Sequence, residues 1–180
     1  PRRSPEERSK NHLIATNKQI QEYIKNGSKG DLNLINTPIK QLPPNLTKVG
    51  GSLYLRKSKI EKLPNNLEIG KSLDLSRTSI KQLPSNITKV EGYLVLSDTK
   101  IEHLPDNLEV KNDLMLSNTP IKQLPNGLKV GGSLYLQNTP ITNLPDNLEI
   151  KGNLYIRDTT IKELPKDLKI ELKTILVVGS

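Results

Sequence analysis

From residue 31 onward, apolar and polar positions alternate on a fixed beat. The stretch from Gly132 to Lys151 reads GSLYLQNTPITNLPDNLEIK, and its skeleton is L-x-L-x-x-T-x-I-x-x-L-P-x-x-L-x-(x)-[VI]. The first leucine of that skeleton recurs at Leu32, Leu53, Leu73, Leu94, Leu114, Leu134 and Leu154, in steps of 21, 20, 21, 20, 20 and 20 residues. Seven copies at one period specify a repeat architecture. The two longer steps share a cause. Leu46-Thr47-Lys48-Val49 and Ile87-Thr88-Lys89-Val90 each hold one residue more than Leu67-Glu68-Ile69, which places the insertion on one edge of the coil.

Within each copy the L-x-L alternation has period 2. It predicts a short strand with Leu134 and Leu136 turned inward and Tyr135 outward. Glycine precedes most of these strands (Gly30, Gly51, Gly70, Gly92, Gly132, Gly152) and is expected to supply a turn closed to other residues. Proline follows the later leucine of every copy (Pro43, Pro64, Pro84, Pro105, Pro125, Pro145, Pro165). It removes a backbone donor and biases the leucine before it toward extended conformations. The back of each coil is therefore expected to be extended, with a helical turn at most. Neighbouring coils must seal one another's leucines and pair strand to strand in parallel, giving seven coils in a slab about 30 Å long.

These copies resemble leucine-rich repeats, in the short bacterial and phage-type form with L-P-x-x-L on the back. The resemblance covers about residues 31–180. Two features depart from the family pattern: the ladder position is Thr37, Ser58, Thr78, Thr99, Thr119, Thr139 and Thr159 rather than asparagine, and the leading apolar residue lies four places before L-x-L rather than three. The resemblance implies an α/β solenoid with short parallel strands on a concave face. It also implies a phage or bacterial setting, with an inhibitor or modulator of a host protein, or a virion component, as natural roles. Ubiquitin-ligase activity, which some bacterial relatives carry on a cysteine, cannot be transferred to a chain without cysteine.

The ends differ from the repeats. Residues 1–11 are charged, proline-containing and without an apolar face, and read as a mobile basic tail. Residues 12–29 read as a capping helix: Thr16 and Gln19 have capping-box spacing, Ile20, Tyr23 and Ile24 fall at i, i+3 and i+4, and Asn26-Gly27 provides the stop. The solenoid occupies 30–180. At its far end Ile175 and Val177 stand where L-x-L belongs, so an eighth strand begins, with Leu176 and Val178 facing out. That edge is expected to be covered by a partner or by further chain.

Composition narrows the remaining choices. The 180 residues contain no Phe, Trp or Cys, so the core must be aliphatic and free of disulfide or thiol chemistry. No apolar run is long enough to span a membrane and no signal core is visible, so a bacterial or host-cell cytoplasmic location is expected, or a virion. Lys and Arg number 27 against 19 Asp and Glu, and residues 1–30 hold seven of those bases against three acids. Arg2, Arg3, Arg8 and Lys10 are thus candidates for touching nucleic acid.

Catalytic motifs do not assemble. Gly70-Lys71-Ser72 falls in the same turn as Gly51-Ser52 and Gly132-Ser133, so it is repeat punctuation rather than a phosphate loop. His12 and His103 stand alone, and His103 takes a slot held elsewhere by Gln41, Gln82 or Gln123. No catalytic residue, metal ligand or cofactor is assigned, and a non-enzymatic protein is expected.

What remains is the outward side of the strands. The middle column runs Asn33, Tyr54, Asp74, Val95, Met115, Tyr135, Tyr155; the column before it runs Asp31, Ser52, Ser72, Tyr93, Asp113, Ser133, Asn153; and the column after it runs Ile35, Arg56, Ser76, Ser97, Ser117, Gln137, Arg157. Four of the five tyrosines fall here. Tyrosine and arginine are enriched where proteins bind partners. The expectation is protein binding on this face through Tyr54, Tyr93, Met115, Tyr135 and Tyr155, with Arg56 and Arg157 at the flanks. The alternatives are a nucleic-acid-associated basic protein, using the tail and stacking tyrosines, and a repeat segment of a larger virion or effector protein.

Overall fold

The computed structural model describes residues 3–170 and the backbone of 175–176. The chain forms one N-terminal helix followed by a parallel β-solenoid of about seven coils. Each coil contributes a two-residue strand to a continuous eight-stranded ladder: Leu32–Asn33, Leu53–Tyr54, Leu73–Asp74, Leu94–Val95, Leu114–Met115, Leu134–Tyr135, Leu154–Tyr155 and Ile175–Leu176. Register is exact to the repeat, with Leu134 opposite Leu114 and Leu154. The expected eighth strand is present, and Ile175 takes the leucine position opposite Leu154. Val177 and Val178, with the outward edge expected there, lie outside the described residues.

The core is a stack of aliphatic rows. Leu134, Leu136, Ile141 and Leu148 are each fully buried, and so are their counterparts through most of the array. Because one coil's leucines are sealed by the coils above and below, the rows merge into one cluster.

The back half was expected to be merely extended, with a helical turn at most, and the structure places a second strand ladder there. Lys48–Val49 pairs with Glu68–Ile69, and Lys89–Val90, Glu109–Val110, Lys129–Val130, Glu149–Ile150 and Lys169–Ile170 form a five-stranded sheet. The proline excludes pairing only at its own position. Five or six residues on, the inward Val or Ile of each copy again alternates with an outward charge, which suffices for a two-residue strand. The L-P-x-x-L segments themselves are turns, Leu46 N–H donating to Pro43 O at 3.0 Å. Among the described residues no helix follows the first one.

The two back sheets are separate because of the second insertion. Thr88 N–H folds back onto Asn86 O at 3.1 Å, a kink that takes up the extra residue. Glu68–Ile69 and Lys89–Val90 therefore do not pair with each other, and Asn86 Nδ2 donates instead to Leu67 O at 3.2 Å. A cleft of about 200 Å³ opens at that break, lined by Leu67, Ile69, Asn86 and Thr88.

Turn chemistry also differs from expectation. Of the six strand-preceding glycines, only Gly30 has positive φ (75°). Gly70 is small for another reason: a Cβ there would run into the carbonyl oxygen of Gly50 in the preceding coil. The left-handed residue lies after the strand instead, at Asn36, Lys57, Arg77, Asp98, Asn118, Asn138 and Asp158, with φ from 55° to 58°. Asn and Asp tolerate this region better than other side chains. The threonine that follows closes the turn locally, for example Thr139 Oγ1 donating to Leu136 O at 2.7 Å. The ladder asparagine is thus displaced by one position: Asn138 Nδ2 donates to Asn118 Oδ1 at 2.8 Å, and Asn118 Nδ2 to Asp98 Oδ1 at 3.0 Å.

Helix α1 spans Pro5–Lys25, so its start lies well before the expected boundary at residue 12, and most of the segment read as a tail is helical. The capping box is Ser4 with Glu7, not Thr16 with Gln19: Ser4 Oγ accepts from Glu7 N–H at 3.1 Å, and Glu7 Oε2 accepts from Ser4 N–H at 2.9 Å. Thr16 lies inside the helix, buried, donating to His12 O at 2.8 Å. Cap chemistry and Pro5 in the first turn nucleate a segment that has no apolar face. The later half covers the first coil, burying Ile20 completely, with Gln19 Nε2 donating to Asn33 O at 2.8 Å. Tyr23 bolts the two together: its hydroxyl lies 2.9 Å from both Ser28 O and Gly30 O and accepts from Gly50 N–H at 3.2 Å.

Candidate interaction face

The outward side chains of the long ladder stand in the three expected columns because parallel pairing keeps equivalent residues in register. Asn33, Tyr54, Asp74, Val95, Met115, Tyr135 and Tyr155 follow one another across paired strands. Val95, Met115, Tyr135 and Tyr155 therefore make an uninterrupted, half-buried strip four coils long, about 15 Å at the spacing of paired strands. Tyr54 is cut off from it by Asp74, whose Oδ1 accepts from Ser76 N–H and from Ser76 Oγ–H.

Tyr135 and Tyr155 stack with ring centroids 4.4 Å apart and planes 11° from parallel. Burial raises the pKa of the Tyr135 hydroxyl above its ordinary value, helped by the neighbouring Asp113 carboxylate and by Tyr155. Asn153 Nδ2 donates to the Tyr155 hydroxyl at 3.2 Å.

The column before the strand is a ladder of its own that sequence reasoning missed. Asp31 Oδ1 accepts from Ser52 N–H (2.7 Å), Ser52 Oγ from Ser72 N–H (3.1 Å), Ser72 Oγ from Tyr93 N–H (2.9 Å), Asp113 Oδ1 from Ser133 N–H (2.7 Å) and Ser133 Oγ from Asn153 N–H (2.9 Å). The signal was the run of short acceptors Asp, Ser and Asn at one register position. Tyr93 interrupts it, having no oxygen close to its backbone with which to serve Asp113 N–H. Tyr93 is 47% exposed, next to the strip at Val95.

The structure brings Tyr93, Met115, Tyr135 and Tyr155 together on one end of the face, with exposed Arg157 beside them, held 3.3 Å from Asp158. Tyr54 and Arg56 form a separate group. Arg56 and Arg157 are five coils apart, about 24 Å by strand spacing, so they flank the face and do not converge. Arg8 and Lys10 lie on the exposed first turns of α1, with Arg3 just before its cap, at the opposite end from the tyrosine stack, and Arg2 lies outside the described residues. Among the described residues no cluster of His, Cys, Asp or Glu could hold a metal, and no helix is long and apolar enough to cross a membrane.

No protein-family model matches the chain, and no curated protein matches it.

Proposed function

We propose that this protein is a non-enzymatic binding module that docks another protein on the outward face of its long ladder. On the leucine-rich-repeat reading this is the concave face, and modulation of a host protein by a phage or bacterial product is the natural role. The observation that carries the proposal is Tyr93. At the equivalent position Asp31, Ser52, Ser72, Asp113 and Ser133 each hold the next coil by a hydrogen bond, whereas Tyr93 forgoes that bond and presents an aromatic ring to solvent. A residue that gives up a structural role for exposed aromatic surface fits a binding anchor. Val95, Met115 and the tyrosine stack extend the apolar contact, and Arg157 supplies a charged rim.

Nucleic-acid binding is the weaker reading. The rings of Tyr135 and Tyr155 each spend one face on the other, and bases stack on free faces. The basic residues of α1 are at the far end of the array, and Asp31, Asp74 and Asp113 line the same columns.

A photo-crosslinking residue at position 93 tests the proposal in cells or extracts of the native host. The expected result is one dominant adduct with a protein, absent when the same residue is placed at position 48 on the back ladder. Equal, non-specific labelling from both positions would overturn the docking face.

A further inference from the structure

We infer that the coils carry an alternating charge code that decides which coil stacks on which. On the back ladders the charged strand residue is Lys48, Glu68, Lys89, Glu109, Lys129, Glu149 and Lys169 in successive coils. The in-register pairs are Lys48 with Glu68, Lys89 with Glu109, Glu109 with Lys129, Lys129 with Glu149, and Glu149 with Lys169. All five are of opposite sign, and Lys169 Nζ lies 3.8 Å from Glu149 Oε1. A second column, directly after the inward isoleucine of each coil, alternates in the same phase: Lys40, Glu61, Lys81, Glu102 and Lys122, before Thr142 and Lys162. There too the coils are adjacent, Glu61 N–H donating to Lys40 O at 3.2 Å. Odd coils thus carry lysine at both places and even coils carry glutamate, with Thr142 the one exception. The chemical period is two coils.

The physical need follows from the core. Every coil offers its neighbours the same rows of leucine and isoleucine, so the hydrophobic seal cannot distinguish the correct neighbour from the next but one. A chain that skips a coil, or two chains that exchange coils, would bury the same aliphatic surface. Charge sign breaks that degeneracy, because skipping one coil sets Lys on Lys or Glu on Glu at strand spacing, where like charges directly opposite each other are destabilising. Exposed ion pairs are individually weak, so what matters is the consistent sign across the array.

Two matched comparisons test this by thermal unfolding. In the full chain, Glu109→Gln/Glu149→Gln neutralises the code and Glu109→Lys/Glu149→Lys makes five consecutive lysines. At about 20 mM salt the Tm should fall in the order wild type, Gln variant, Lys variant, the last by at least about 5 °C, and the spread should close at about 1 M salt. In a chain lacking residues 109–128, Lys89 meets Lys129. The same deletion with Lys129→Glu, Glu149→Lys and Lys169→Glu restores alternation and should melt about 2–4 °C higher at low salt. Equal melting of the two deletion variants, or a full-length spread that is absent or survives high salt, would overturn the code. If neither deletion variant folds, the full-length series decides.

Discussion

Tyr93 N–H donates to Ser72 Oγ across 2.9 Å, but Tyr93 hands no such bond to the coil that follows. Restoring the ladder should therefore separate stability from function. Tyr93→Ser supplies the missing acceptor for Asp113 N–H and should raise stability by about 0.5–1.5 kcal/mol, the net worth of one hydrogen bond, while removing the proposed anchor. Denaturant unfolding checks the first effect, and a fall in stability would mean that Tyr93 is itself a packing residue.

Deleting Thr88 should also stabilise. The third coil would then match the twenty-residue copies, and Lys89 and Glu91 would regain the carbonyls of Leu67 and Ile69, joining the two back sheets. Two recovered hydrogen bonds predict a gain of about 1–3 kcal/mol, read as a rise in Tm of roughly 2–4 °C per kcal/mol. A lower Tm would show that the kink relieves strain in the stack.

Stability should decline at alkaline pH through two tyrosines. Burial is the first cause of a raised pKa at both Tyr23 and Tyr135. A phenol whose folded pKa exceeds its unfolded value near 10 contributes fully below that value and loses its contribution as pH rises through the folded pKa. Ultraviolet titration should show Tyr23 and Tyr135 ionising late, and Tyr23→Phe should remove one late component while destabilising the chain by about 1 kcal/mol through its lost bonds to Ser28 and Gly30. Uniform ionisation of all five tyrosines would contradict this.

Ser4→Ala should unwind the exposed start of α1 without a comparable change in Tm. The capping box is worth about 0.5–2 kcal/mol locally, but the residues it organises before Thr16 are exposed and contribute no buried side chain to the core. Amide hydrogen exchange should rise in residues 5–12 alone. Loss of protection in the first coil would show that the whole helix is one cooperative unit.

The period, the inward leucines and the outward columns were legible because the leucine spacing and the strand alternation are repeated seven times, and repetition averages away local ambiguity. The second ladder was not, because proline drew attention to what the back could not do, while Lys129-Val130 and its equivalents are only two residues long. The start of α1 was missed because Ser4-Pro5-Glu6-Glu7 is a cap without an apolar stripe behind it. The break at Tyr93 became visible only once Ser72 and Asp113 were placed on either side of it.

The most direct test of the account is the affinity of the host protein crosslinked at position 93 for wild-type chain and for Tyr93→Ser, measured by calorimetry on folded proteins. The account predicts binding at least about tenfold weaker for Tyr93→Ser, as for loss of an aromatic anchor, with Lys48→Gln on the back ladder unchanged. Undiminished affinity in Tyr93→Ser, with loss in Lys48→Gln, would contradict it.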